Sequence, residues 1–281
     1  MRLGINLLCA AGHVGPEEFY LFDLARESGF DHVELPVLTG SPDDFARAGR
    51  RLDELGLSRG CTAITTPEAD PTSPDPEIRG RGRAHLAWIL DCAEALGAET
   101  AGGPFHAPIG HFTGTGPQED ELARGADAHR ELAESAERRG VVLALEILNR
   151  FETHFMNTAA QARAYAARVD HPAFGIMYDT FHGHIEEKDQ PEAIARLGDA
   201  MRVLHVSEND RGVPGTGQVD FRAILSAAKG AGFDGPVVVE AFGSGLPELA
   251  AATRVWRPLF PDLDTLFRDG AAAIRGAMET A

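Results

Sequence analysis

The sequence has few cysteines. Cys9, Cys61 and Cys92 are the only three among 281 residues, and no two of them form a CxxC pair. Three cysteines cannot all be bridged within one chain, and their spacing does not match a structural zinc site. A chain without a disulfide framework or a structural zinc site suits a reducing compartment, so we expect a cytoplasmic protein.

Long apolar runs and linkers are also missing. No run reaches the roughly 18 apolar residues that indicate a membrane span. The apolar stretch near the N-terminus is bounded by Gly4 and Gly12 and contains Asn6, which favours a buried strand over a signal peptide. No segment rich in Gly, Ser or Pro marks a domain boundary. We therefore expect a single domain over residues 1–281 and no membrane partner.

Basic residues are scarce. Lys and Arg together number 26 against 43 Asp and Glu, which gives a formal net charge of -17. Such a surface repels the phosphate backbone of nucleic acids, so nucleic acid is not an expected partner. The 43% of hydrophobic residues is typical of a soluble globular protein.

No glycine-rich phosphate motif follows the first apolar run, where the chain reads CAAGHVG rather than GxGxxG. This makes a doubly wound open sheet the weaker alternative. Short β-rich runs instead alternate eight times with helical segments rich in Ala, Glu and Arg. The β-rich runs are residues 3–9, 32–36, 58–64, 100–105, 141–148, 174–180, 203–209 and 236–242. Eight such units predict an α/β fold, the (β/α)8 TIM barrel, whose usual length is about 250 residues.

Beyond the eighth unit the pattern predicts an additional C-terminal helix. The segment VWRPLFPDLDTLFRDGAAAIRGAMETA is interrupted by Pro258 and Pro261 and then turns helical in composition. We expect this helix to pack on the barrel or to meet another subunit.

Four consecutive β-rich runs each carry, at or near the C-terminal end of the predicted strand, a residue that does not suit an apolar strand. These residues are Glu146 in LALEIL, Asp179 in FGIMYDT, His205 in VLHVSEN and Glu240 in PVVVEAF. A single strand-end acid or histidine is more often structural than catalytic. The C-terminal ends of TIM-barrel strands carry the active site, however, and four equivalent positions on adjacent strands indicate one shared site.

Three carboxylates and an imidazole placed together repel one another unless a cation holds them. We therefore predict a divalent metal, and a ligand set of oxygens and one nitrogen without thiolate favours Mn2+, Co2+ or Mg2+ over structural zinc. Nearby Glu152, His182 and Arg211 suit a small polyhydroxylated substrate. Arg150 and Asp210 are expected to be solvated loop residues.

The motifs LEILNRFETHFMNTAAQA, YDTFHGHIEE, HVSENDRGVPGTGQVDF and VVVEAF resemble, in order and spacing, the ketose 3-epimerases of the tagatose, allulose (psicose) and ribulose 3-epimerase group. This group belongs to the xylose isomerase-like TIM-barrel superfamily, and the resemblance covers most of the chain. It implies that one divalent metal per subunit, most often Mn2+ or Co2+, is held by the four strand-end residues Glu146, Asp179, His205 and Glu240. Contacts to the sugar are implied for Glu152, His182 and Arg211.

The resemblance also implies the reaction. Free ketoses of the D-fructose/D-allulose, D-tagatose/D-sorbose or L-ribulose/L-xylulose type would be epimerised at C3 through a cis-enediolate. One of Glu146 and Glu240 would remove the C3 proton and the other would return a proton to the opposite face. No organic cofactor is implied. Relatives are dimers or tetramers, which implies a homo-oligomer.

The chain departs from the group at several positions. Gly183 and His184 stand where many relatives have Met and Asn, and Ser207 replaces a glycine. We expect catalysis to survive these changes. The loops after the first four strands match less well, so their pocket residues are open; the candidates there are Cys9, His13, Cys61, Phe105 and His106.

Three other functions are alternatives for this barrel. An aldose–ketose isomerase of the same superfamily, acting for example on hydroxypyruvate or rhamnose, would use the same metal and acids to move a proton between C1 and C2. A metal-dependent nuclease on this barrel would need more histidine ligands and a basic surface, and the sequence has neither. A non-catalytic sugar-binding relative has no need of two opposed acids.

Overall fold

Eight parallel strands close into a barrel in the computed structural model, which describes residues 1–281. They are β1 (Arg2–Asn6), β2 (His32–Pro36), β3 (Ser58–Thr62), β4 (Thr100–Gly103), β5 (Val142–Glu146), β6 (Phe174–Asp179), β7 (Met201–Val206) and β8 (Pro236–Val239). Closure is direct, because Leu3 of β1 pairs with Val237 of β8. The predicted TIM barrel is confirmed, and the open sheet is excluded.

Ten α-helices accompany the strands. They are α1 (Tyr20–Glu27), α2 (Pro42–Leu55), α3 (Pro76–Leu96), α4 (Glu119–Arg138), α5 (Ala159–Val169), α6 (Thr180–Glu186), α7 (Gln190–Leu197), α8 (Phe221–Gly230), α9 (Pro247–Thr253) and α10 (Leu263–Glu279). No helix combines the length and apolar character that crossing a membrane requires.

The predicted C-terminal helix is α10. Asp262 caps it by accepting the backbone N–H of Thr265, directly after the turn that contains Pro261. The helix contacts α1 and α8 and lies against β1 and β8. It therefore packs on the barrel where the last strand returns to the first.

Side chains of β5 to β8 alternate between two apolar clusters. Ala144, Met177, Val203 and Val238 form a small cluster of their own. The residues that follow them, such as Leu145, Tyr178 and Leu204, belong to the large cluster that includes helix residues. Since successive strand side chains point to opposite faces, the small cluster fills the barrel interior and the large one lies between barrel and helices.

Candidate metal centre

The strand register explains why the four polar strand-end residues meet. Each follows a member of the interior cluster by two residues: Glu146 follows Ala144, and Glu240 follows Val238. Asp179 follows Met177 in the same way, and His205 follows Val203. A spacing of two keeps a side chain on the same face of a strand. These side chains therefore form the next layer of the barrel interior, above the apolar one and at its C-terminal mouth.

The layer is compact and buried. Glu146, Asp179, His205 and Glu240 each offer one ligand atom, and these atoms all lie within 4.8 Å of one another. None of the four residues is more than 6% exposed. The sequence analysis placed these residues in one site, and the structure brings them together.

The imidazole of His205 suits a metal. Its Nε2 hydrogen-bonds to a carboxylate at 2.8 Å, whereas its Nδ1 is buried without a hydrogen-bond partner, although Glu240 Oε1 lies only 3.3 Å away. An unpartnered ring nitrogen facing carboxylate oxygens is the arrangement that a divalent cation satisfies. The buried group of three acids and one histidine could therefore bind a metal ion.

The two glutamates of the cluster have opposite electrostatic environments. Burial, followed by the charge of Glu240, raises the pKa of Glu146 well above its ordinary value. Burial would also raise the pKa of Glu240, but opposing effects, of which the charge of Arg211 is the largest, bring that pKa to about 2. The two carboxyl groups thus differ in how readily they hold a proton, a difference that acid–base catalysis uses.

Arg211 provides the nearest positive charge. Its Nη1 donates to Asp179 Oδ2 at 2.7 Å and to Glu240 Oε2. The guanidinium lies between the rings of Phe181 and Phe242, with its carbon 4.0 and 4.9 Å from the ring centroids. Since only 7% of the residue is exposed, its planar group is held in one orientation at the wall of the site.

His182 and Glu152 complete the polar wall. Arg211 Nη2 lies 3.0 Å from His182 Nε2, and the backbone N–H of Asn149 donates to His182 Nδ1 at 3.1 Å. Burial and the charge of Arg211 lower the pKa of His182 to about 3, so its ring is neutral. The Asn149 side chain donates to Glu152 Oε1 at 2.8 Å. The three expected substrate contacts thus stand together beside the carboxylate cluster.

A cavity of about 390 Å³ opens next to these residues. Polar residues such as Glu152 and Arg211 line it, and Phe181, Trp256 and Leu259 contribute apolar surface. Its volume lies in the range of small-molecule sites. A lining that mixes polar and apolar groups suits a small polyhydroxylated substrate.

The pocket candidates from the first four strands do not line this cavity. The Nε2 atom of His106 instead lies 3.1 Å from the backbone oxygen of Glu146, and the imidazole ring stacks on Phe155. It therefore supports the end of β5. Arg150 is exposed, as expected, and pairs with Glu186.

A buried carboxylate that the sequence analysis missed organises the loop bearing Arg211. Glu208 is fully buried and accepts four backbone N–H groups at 2.9 to 3.0 Å, from Asn209, Gly215, Gln218 and Val219. Arg211 has a left-handed backbone with φ 68°, which is unfavourable for a side chain of this size. The hydrogen bonds to the Glu208 carboxylate thus fix the conformation of this loop, which includes the unfavourable backbone of Arg211.

Replacing Glu208 with Gln is expected to raise the substrate KM about tenfold and to leave metal affinity unchanged. The amide has one acceptor oxygen and an NH2 group that opposes the backbone donors, and each hydrogen bond to a charged group contributes about 1.5–3 kcal/mol. Steady-state kinetics and calorimetric titration with Mn2+ measure the two quantities. Glu134→Gln, on the exposed face of α4, serves as the control. Unchanged KM in Glu208→Gln would contradict the role given to this loop.

The fold and the cluster define a class: a TIM barrel that can hold a divalent cation at the C-terminal mouth of its strands. The sequence pattern of the xylose isomerase-like TIM barrel family matches residues 22–266.

Relatives narrow the class. The chain is 34% identical to a ketose 3-epimerase of Arthrobacter globiformis over 98% of this chain and 96% of the relative. A solved structure of an L-ribulose 3-epimerase superimposes with a TM-score of 0.93 at 31% identity, covering 99% of this chain and 95% of that one. The D-psicose 3-epimerase of Clostridium cellulolyticum H10, solved with D-tagatose, gives a TM-score of 0.91 at 28% identity and covers 99% of both chains.

The chain therefore belongs to the ketose 3-epimerases of the xylose isomerase-like TIM barrel family. As a member of this group it is a carbohydrate epimerase, and the predicted isomerase class is confirmed.

Proposed function

We propose that this protein epimerises free ketoses at C3, with one of Glu146 and Glu240 removing the C3 proton and the other supplying a proton to the opposite face. The observation that carries the proposal is the placement of these two carboxylates. They stand at the ends of β5 and β8, with β6 and β7 between them, and their ligand atoms lie within 4.8 Å. Two acids that reach one small site from different sides can act on opposite faces of the same carbon.

The proposed mechanism assigns each residue a task. One glutamate removes the C3 proton from one face of the ketose, and the resulting cis-enediolate takes a proton at C3 from the other glutamate on the opposite face. Because the reaction is reversible, each glutamate is the base in one direction and the acid in the other. His182, Arg211 and Glu152 hydrogen-bond the sugar hydroxyls and hold the carbon between the two acids.

The metal is part of this proposal. Glu146, Asp179, His205 and Glu240 would hold one divalent ion per subunit, with Mn2+ favoured and Co2+ or Mg2+ as alternatives, because the donors are carboxylate oxygens and one imidazole. When bound, such an ion polarises the carbonyl and stabilises negative charge on the substrate. The reaction requires no organic cofactor in this account.

A free sugar is favoured over a phosphorylated one. The loop GVPGTG, residues 212–217, could bind phosphate only through unoccupied backbone N–H groups. Three of these groups already donate within the protein: that of Gly212 to Asp210, that of Gly215 to Glu208 and that of Thr216 to Val213. The names of the relatives, which are ketose, L-ribulose and D-psicose 3-epimerases, support the same substrate class.

A panel of allulose, fructose, tagatose, sorbose and ribulose, with fructose phosphates added, tests the substrate class. We expect the Mn2+-loaded protein to convert at least one free ketose to its C3 epimer, identified by chromatography and NMR. Formation of aldoses without any epimer would contradict the proposal and favour the aldose–ketose isomerase.

Assembly into a dimer or tetramer and the cytoplasmic location stay predictions. Three aromatic side chains on loops that follow the C-terminal ends of strands are between 47% and 74% exposed: Phe112, Phe151 and Trp256. Exposed aromatic residues of this kind are typical of surfaces that meet another subunit, which supports a homo-oligomer.

A further inference from the structure

A second buried glutamate lies behind the cluster. Glu34, in the middle of β2, is 0% exposed, and its Oε2 accepts a hydrogen bond from His205 Nε2 at 2.8 Å. Strands β2 and β7 are not neighbours in the barrel, so this bond crosses the interior. Glu34 is therefore the hydrogen-bond partner of the one nitrogen ligand in the proposed metal site.

The strands on either side of β2 carry glycines beside its polar side chains, Gly60 beside Glu34 and Gly4 beside His32. A Cβ added at Gly60 of β3 would lie 2.6 Å from Thr100 Oγ1 and 3.3 Å from Glu34 Cγ. A Cβ added at Gly4 of β1 would lie 2.9 Å from His32 Cδ2. Glycines thus flank β2 on both sides, where larger residues would displace its polar side chains. An apolar residue could fill the same space without the cost of burying a carboxylate.

Asn6 connects Glu34 to a second member of the cluster. Its Nδ2 lies 3.4 Å from Glu34 Oε2 and 3.3 Å from Glu240 Oε1. Its Oδ1 accepts the backbone N–H of Leu8 at 2.9 Å, which fixes the amide with its NH2 group toward the two carboxylates. One interior chain of hydrogen bonds therefore reaches both His205 and Glu240.

We propose that Glu34 is a positioning residue for the metal centre. By accepting the Nε2 proton of His205, it fixes the tautomer in which Nδ1 presents a lone pair to the centre. Through Asn6 it also restrains the carboxylate of Glu240. The inference rests on the proposed metal site and assigns to Glu34 no contact with metal or sugar.

Glu34→Gln, together with a matched control, tests this role by metal binding. The glutamine keeps the size of the side chain but removes its charge, and partners of this kind change metal affinity by about 10- to 100-fold. We expect Mn2+ affinity, titrated by calorimetry without sugar, to fall by that factor. The absorption bands of the Co2+-loaded protein are expected to shift, because the orientation of the imidazole changes.

The control is Glu121→Gln. Glu121 is also a buried glutamate and accepts from a histidine, with its Oε1 2.8 Å from His154 Nε2, but it lies outside the cluster. This variant is expected to keep native Mn2+ affinity and Co2+ spectrum. Circular dichroism checks that both variants are folded, and Glu34→Asp replaces Glu34→Gln if the latter is not.

The outcomes separate the two proposals. If the unmodified protein binds no Mn2+, the proposed metal site fails and the inference fails with it. If the unmodified protein binds Mn2+ and the folded Glu34 variant binds it equally well with an unchanged Co2+ spectrum, only the role of Glu34 is overturned.

Discussion

Glu146→Gln and Glu240→Gln are each expected to lower kcat for ketose epimerisation by about 1,000-fold or more. A positioned general acid or base contributes about 10²- to 10⁴-fold, and an epimerisation needs both groups because the proton leaves one face and returns to the other. Each glutamate is also a proposed metal ligand, so the glutamine side chain is expected to weaken metal binding as well. Neither task can be taken over by the remaining glutamate.

These variants are compared at saturating Mn2+ with Glu121→Gln, which removes a buried carboxylate outside the cluster. Thermal unfolding monitored by circular dichroism checks that the fold persists. The control is expected to keep nearly all activity. Near-native turnover by either cluster variant on every ketose that the unmodified protein converts would mean that two opposed acids are not required.

Removal of divalent metal by prolonged chelation is expected to abolish activity, and added Mn2+ or Co2+ is expected to restore it. Three acids and one histidine with ligand atoms within 4.8 Å of one another are poorly balanced by Arg211 alone. The thermal midpoint is also expected to rise on metal addition, since a ligand at 100 times its Kd stabilises the native state by about 2.7 kcal/mol.

The chelation experiment also requires elemental analysis, which measures how much metal stays bound to the protein. Full activity in a sample that contains no metal by atomic emission spectroscopy would contradict the site assignment. Ca2+, which prefers a larger and more flexible oxygen site, serves as the control cation and is expected to restore little activity.

Much of the fold followed from the sequence because the pattern of short apolar runs and helices is regular. Each of the eight predicted runs overlaps a strand, but several strands end earlier than predicted, and β7 begins two residues earlier, at Met201. Residues 7–9 form a short 3-10 helix after β1, and β8 ends at Val239, just before Glu240. Apolar composition continues past the strand ends because the first loop residues are themselves buried, as Leu7 and Ala241 are. Burial can be predicted there, whereas hydrogen bonding cannot.

The cluster was predictable for a related reason. Glu146 ends its strand two positions after the apolar Ala144, so both side chains point to the same face. This pattern indicates a polar layer in the barrel interior. Glu34 in HVELP lacks this signal, because it lies in the middle of β2 and follows His32 rather than an apolar residue, and its partner His205 is 171 residues away across the barrel. Sequence spacing does not encode such a crossing. Glu208 was hidden for another reason, because its partners are backbone N–H groups, which every residue but proline carries.

The position of deuterium in recovered sugar tests the central claim most directly. The Mn2+-loaded protein is incubated in deuterated water with the ketose that it converts best, and both sugars are recovered for NMR. If Glu146 and Glu240 move a proton at C3, the epimer carries deuterium at C3 and none at C1. Deuterium at C1 alone would contradict C3 epimerisation and identify an aldose–ketose isomerase instead.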